Sequence, residues 1–222
     1  PNGNVLSLDA AISYLPLDDT RQKVKNLELH TNPETEYTID GRNLKISWNR
    51  PDGEGVSYGY SADIQTTNAF SKIKSKINFP LNVEGDELKF TAPTKYIDTN
   101  DKIKALANKL SEGKDDEWDV VIAAAEWTRN NIKYDLNTLT ATVVEPSSWV
   151  LDNREGVCDE MTNLFISLLR SSGIPARFVS GVVYSNVGTG EWGAHGWAEV
   201  YFPGTGWVPF DVTFGQYGWI DS

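Results

Sequence analysis

The sequence predicts an α+β protein in two parts. An antiparallel, β-sandwich-like region covers residues 1–95 with its connector, and helices packed on an antiparallel sheet make up 96–222. Three observations carry this. Apolar residues recur with a period of two in short runs before Pro80. A helical period replaces it from about Asp101. Two closing runs, His195–Phe202 and Trp207–Thr213, are joined by Pro203-Gly204-Thr205-Gly206, the punctuation of a hairpin.

In chain order, Leu44, Ile46 and Trp48 alternate with polar residues, and so do Val56, Tyr58, Tyr60, Ala62 and Ile64. Turn signals bound these runs at Asn32-Pro33, Asp40-Gly41 and Pro51–Gly55. His30 lies among polar neighbours and reads as a surface or strand-end residue. Residues 80–100 lose periodicity and read as a connector, with one further strand around Leu88–Phe90. Ile103, Leu106, Ala107 and Leu110 then form a short helical stripe ended by Gly113. A second helix follows Asp115-Asp116, acids suited to a helix N-terminus, and runs to Ile132. Tyr134–Glu155 reads as loop. The next helix carries Met161, Leu164, Phe165, Leu168 and Leu169 on one stripe and stops at Gly173-Ile174-Pro175. A strand over Ala176–Tyr184 and a glycine-rich turn over Asn186–Gly193 lead into the hairpin.

Charge and composition narrow the functional classes. With 31 acidic against 20 basic residues, a net charge of -11, the chain lacks the Lys/Arg excess that nucleic acid or an anionic membrane rewards. No apolar run is long enough to span a bilayer, so no membrane contact is expected from this segment. Because the chain opens on Pro1 rather than Met, a segment of a longer, extracellular or membrane-anchored protein is a reading to keep open. One cysteine and two histidines leave no internal disulfide and no Cys/His zinc site, and no acidic calcium loop is present. Neither a metal nor another cofactor is expected.

The single cysteine, Cys158, opens the striped helix, three residues before Met161. A thiol there feels unpaired backbone N–H groups and the positive end of the helix dipole, which favour the nucleophilic thiolate. Such a nucleophile needs a base, and the base an orienting group. Ala198, Val200 and Phe202 share one face of the first hairpin strand, and Val208, Phe210 and Val212 one face of the second. Paired strands bury their apolar faces on the same side, so His195, Trp197, Glu199 and Asp211 share the opposite face. This requires an odd effective loop or a bulge at Gly204 or Gly206. A plain four-residue loop would put His195 and Asp211 on opposite faces.

The C-terminal half resembles the transglutaminase-like superfamily. The resemblance rests on Gly156-Val157-Cys158-Asp159-Glu160, on Leu168 to Gly181, on His195-Gly196-Trp197-Ala198-Glu199-Val200-Tyr201 and on Gly206 to Thr213. It spans about Asp101 to Thr213 and implies a papain-like core with Cys158 as nucleophile, His195 as base and acid, and Asp211 as orienter. Trp149 is a candidate oxyanion or substrate contact beside the backbone N–H of Cys158. Glu199 reads as a flanking polar residue, and Arg177 and Glu160 as supports of fold or loops. The resemblance implies acyl transfer from amides through a thioester, on protein or peptide substrates. Peptidase- or amidase-type hydrolysis is the first reading; protein-glutamine transamidation and a noncatalytic scaffold module of a cell-surface protein are the alternatives.

Overall fold

The computed structural model describes residues 5–13, 15–19, 21–41, 43–51, 55–67, 72–138, 144–185 and 191–218. The turn expected at Asp52–Glu54 and most of the one at Asn186–Gly193 lie outside these residues. Contacts divide the chain into two compact units, Pro1–Ala69 and Phe70–Ser222.

The first unit is all β. β1 (Ser7–Ile12), β2 (Gln22–Asn32), β3 (Tyr37–Asp40), β4 (Asn43–Asn49) and β5 (Ser57–Thr66) form two antiparallel sheets, β1-β4-β3 and β2-β5. Alternation works as expected in β4, where Leu44, Ile46 and Trp48 are buried between exposed neighbours. Leu29 of β2 and Tyr60 of β5 pack against them, so the two sheets share one small core. Toward the ends of β5 the alternation has nothing to bury against, and Tyr58 and Ile64 stay exposed. His30 is exposed, 3.5 Å from Ser61 Oγ.

The second unit begins earlier than residue 96. Ile73, Ile77 and Phe79, in the stretch read as β-structure, and Leu81 and Ile97, in the one read as a connector, already belong to the packing of its core. The strand expected at Leu88–Phe90 is instead a 3-10 segment, Gly85–Thr91. Leu88 faces solvent and Phe90 turns edge-on to Trp207, a one-sided contact that needs no strand partner.

The helices follow their caps. α1 (Asp101–Ser111) starts where Asn100 Oδ1 accepts the Ile103 N–H at 2.9 Å. α2 (Glu117–Asn131) starts at Asp116, whose carboxylate accepts the Trp118 N–H at 3.1 Å. Glu117, the first residue of α2, is fully buried with both carboxyl oxygens unpaired among the described residues. Burial, then the neighbouring Asp116 charge, pushes its pKa up to about 8. β6 (Lys133–Tyr134) follows. The next segment is not simply loop: α3 (Ser147–Asn153) lies within it, and β7 (Glu155–Gly156) pairs in parallel with β6. Four of its seven residues, Ser147, Ser148, Asp152 and Asn153, are polar, and its buried contribution is only Ser147, Val150 and Leu151, which hid α3.

α4 (Cys158–Ser171) is the central element. Its predicted stripe is buried, and so are Thr162, Asn163, Ile166 and Ser167 on its other sides. α1, α2 and α3 pack around it, and the sheet covers what remains. That sheet comprises β8 (Ala176–Ser185), β9 (Glu191–Phe202), β10 (Gly206–Asp211) and β11 (Gln216–Tyr217), antiparallel in the order β11-β10-β9-β8. No described helix is long and apolar enough to cross a membrane.

Candidate active site

The β9–β10 connection fixes which side chains meet. Gly206 pairs with Phe202 and Phe210 with Ala198, leaving a three-residue loop, the odd length that strand parity demands. Pro203-Gly204 form its corner, closed by the Thr205 N–H on the Phe202 carbonyl at 3.0 Å, with Gly204 at φ +78°. Ala198, Val200, Phe202, Val208, Phe210 and Val212 are all buried on the core side. His195 and Asp211 therefore fall on the other face and meet: Nε2 donates to Asp211 Oδ2 at 2.6 Å. Both are buried, at 8% and 1% exposure, which excludes water from the pair.

Asp211 is held in turn. Its Oδ1 accepts the N–H groups of Thr213 at 2.9 Å and Phe214 at 3.1 Å, from the turn leading to β11. With Nε2 committed to the carboxylate, Nδ1 is the nitrogen left for the thiol, and Cys158 lies close enough to the ring to favour its charged form. Burial of the imidazole opposes its charged form. Hydrogen bonds and negative charge from Asp211, then Cys158, outweigh that and push the pKa of His195 up to about 9.

The thiol is placed by the first turn of α4. Glu160, three residues on, accepts the Val157 N–H on Oε2 at 3.0 Å and the Glu145 N–H on Oε1 at 3.3 Å. It thus ties the entering loop to the helix start, the supporting part its sequence position suggested. The pairing of β6 with β7 holds the approach, with Lys133 N–H on Arg154 O at 2.8 Å and Asp135 N–H on Gly156 O at 3.0 Å. Gly196 lets the helix come this close to β9. A Cβ there would sit 2.6 Å from Asp159 Oδ1 and collide with Phe178 Cζ.

Glu199, on the same strand face as His195, is bound by Arg177 at 2.7 and 2.9 Å, and the guanidinium lies 4.2 Å from the Trp207 ring centre. This is a structural pair at the far end of the strand. Trp149 lies in α3 rather than in a loop, half-buried against the core. Three neighbours of the site were not singled out by periodicity. Asp159 Oδ1 accepts from Cys158 Sγ at 3.6 Å. Phe214 packs its ring 5.0 Å from that of His195. Tyr134 has its phenol pKa raised by burial and then by the charges of Cys158, Asp159, Glu160 and Asp211. Their only sequence signal is adjacency: Asp159 follows the cysteine, Phe214 closes the Asp211 turn, and Tyr134 precedes a loop. Among the described residues no cluster of three or more His, Cys, Asp or Glu could hold a metal.

A helix-borne cysteine set against a sheet-borne histidine–aspartate pair is the architecture of a thiol-enzyme fold. Residues 104–212, most of the second unit, match the sequence model of the Transglutaminase-like superfamily. An uncharacterized Bacillus subtilis protein, YebA, is 27% identical over 175 residues, covering 70% of this chain and 23% of its own length. A protein-glutamine gamma-glutamyltransferase of Pseudomonas aeruginosa is 25% identical over 123 residues, covering 52% of this chain and 18% of its own. The chain thus spans less than a quarter of these curated relatives. A crystal structure of a candidate cysteine protease from Cytophaga hutchinsonii shares the fold, with TM-score 0.72 at 21% identity. That match covers 95% of this chain and 73% of the other.

Proposed function

We propose that the protein is a thiol acyltransferase of hydrolytic type, in which Cys158, His195 and Asp211 cleave an amide through a thioester. The observation that carries this reading is the place of His195, with Nε2 2.6 Å from buried Asp211 and Cys158 near enough to favour the charged ring. His195 takes the thiol proton on Nδ1, and the thiolate attacks the amide carbonyl. The imidazolium returns that proton to the leaving amine as the C–N bond breaks, leaving an S-acyl enzyme. Water, deprotonated by the same imidazole, then attacks the thioester. A carboxylic acid leaves and the thiol is restored. Asp211 keeps the proton on Nε2 and stabilises the imidazolium, so that Nδ1 stays the working nitrogen.

The developing oxyanion needs donors. The N–H of Cys158 supplies one, since the first helical residue has no carbonyl four positions back within the helix. Trp149 is the candidate for the second. Peptides and proteins are the proposed substrates.

The test is amine release from amide peptides, with Cys158→Ala as control, beside iodoacetamide alkylation across pH 4–9. Turnover lost in the variant, and alkylation of the wild type that persists at lower pH than in His195→Ala, are expected. Turnover retained by Cys158→Ala would overturn the reading. Product that incorporates an added lysine amine would replace hydrolysis by transamidation.

A further inference from the structure

The sheet face that covers α4 does not end where the helix does. On β8 and β9 this face carries paired rows: Phe178 with Ala198, Ser180 with Gly196, Val182 with Ala194, and Tyr184 with Trp192. Ala198 is fully buried under the core, and Asp159 Oδ1, next to the Cys158 thiol, lies against Gly196. Beyond that row the same face opens to solvent. Val182 is 54% exposed, Tyr184 49% and Trp192 71%. The uncovered face therefore starts at the row that Asp159, the residue after the nucleophile, lies against, and runs away from it. Tyr184 and Trp192 lie against each other, ring centres 5.4 Å apart.

Its chemistry differs from the rest of the molecule. Residues 178–198 contain one carboxylate, Glu191, and no Lys or Arg, in a chain with 51 charged side chains (31 acidic plus 20 basic). An exposed, uncharged aromatic wall that begins beside Asp159, the hydrogen-bond partner of the reactive thiol, suits an apolar, uncharged stretch of chain. We propose that Val182, Tyr184 and Trp192 dock the substrate polypeptide, taking one of its apolar side chains a few residues from the reacting carbonyl. Trp192 stands four strand residues from Gly196, about 13 Å at roughly 3.3 Å per residue, so an extended substrate would present its fourth residue there. This rests on Cys158 as the nucleophile, and it makes the substrate class an unfolded or extended segment rather than a small amide.

The probes are two fluorescein-labelled decapeptides of Gly, Ser and Ala with one internal Gln, one of them with Leu four residues from that Gln and the other with Ser. A third probe is a short Gln amide that cannot reach the wall. In the Cys158→Ala protein the Leu peptide should bind at least about tenfold tighter than the Ser peptide, a preference lost in Trp192→Ser/Tyr184→Ser. With Cys158 intact, that double variant should raise KM for the Leu peptide about tenfold at unchanged kcat, and leave the short amide untouched. Equal affinity for the two peptides would overturn the proposal, as would equal loss on peptide and short amide. So would a wild-type dimer that the double variant dissociates with peptide affinity unchanged. Binding is read without turnover, so absent amidase activity would count against the thiol mechanism alone.

Discussion

The two histidines show how differently the two units treat polar groups. His30, in the first unit, is an exposed strand residue beside Ser61. His195, in the second, is buried between an aspartate and a cysteine. The pattern extends to every buried polar side chain among the described residues. Glu117, Thr128, Ser147, Glu160, Thr162, Asn163, Ser167, His195, Glu199 and Asp211 all belong to the second unit, whereas the first buries apolar residues alone. Burying a polar group costs free energy unless a partner compensates it. A unit whose described residues form five strands around one small core has little to offset that cost; a helix enclosed by three others and a sheet has more. The second unit can therefore hold a titratable pair dry and oriented.

Exchanging the histidines should break this symmetry most sharply. His195→Ala is expected to cut amide turnover by about 10³-fold or more, while His30→Ala leaves it unchanged, measured as initial rates. Asp211→Asn keeps the hydrogen bond but frees the wrong tautomer, and should cost about 10²- to 10⁴-fold in kcat with little change in KM.

Stability separates the units next. Trp48→Ala empties the first unit's core and should cost that unit about 3–5 kcal/mol by denaturant unfolding, with turnover retained. Glu160→Ala strands two backbone N–H groups at the nucleophile's helix and should cost the second unit about 2–3 kcal/mol. A Trp48→Ala protein that loses activity with its β-structure would show the units to be dependent on each other.

The pH dependence is a smaller effect with a defined sign. His195, raised to about 9, adds stability that is fully present below its unfolded value near 6.5 and is lost as pH rises through about 9. Glu117, raised to about 8, stays protonated in the fold, so folding is penalised progressively as pH climbs from about 4.5 to 8. Both make the second unit less stable toward alkaline pH. Glu117→Gln should recover a few degrees of Tm at pH 8.5 and nothing at pH 4, by calorimetry.

What could be read from the sequence followed from how local its signal was. The stripe on α4 and the alternation in β4, β9 and β10 are periodic, and parity alone put His195 and Asp211 on one face and demanded an odd loop. Residues 72–91 pack on the second unit through isolated side chains such as Ile77 and Phe79, with no period to reveal them. α3 has seven residues, too few for a stripe to stand out. That α4 is buried on all sides follows from tertiary packing, which overrides the amphipathic pattern of a surface helix. The neighbours of the site, Tyr134 and Phe214, arrive by the parallel β6–β7 pairing and by the turn after Asp211, both set by tertiary structure.

The central claim is that Cys158 carries the acyl group, and intact-mass spectrometry of acid-quenched reactions tests it most directly. With an amide peptide in excess, the wild type should gain the mass of the acyl fragment, map it to Cys158 by digestion, and lose it to hydroxylamine as a thioester does. His195→Ala should gain it far more slowly and Cys158→Ala not at all. Peptide turnover with no adduct at any quench time, or an adduct on another residue, would contradict the account.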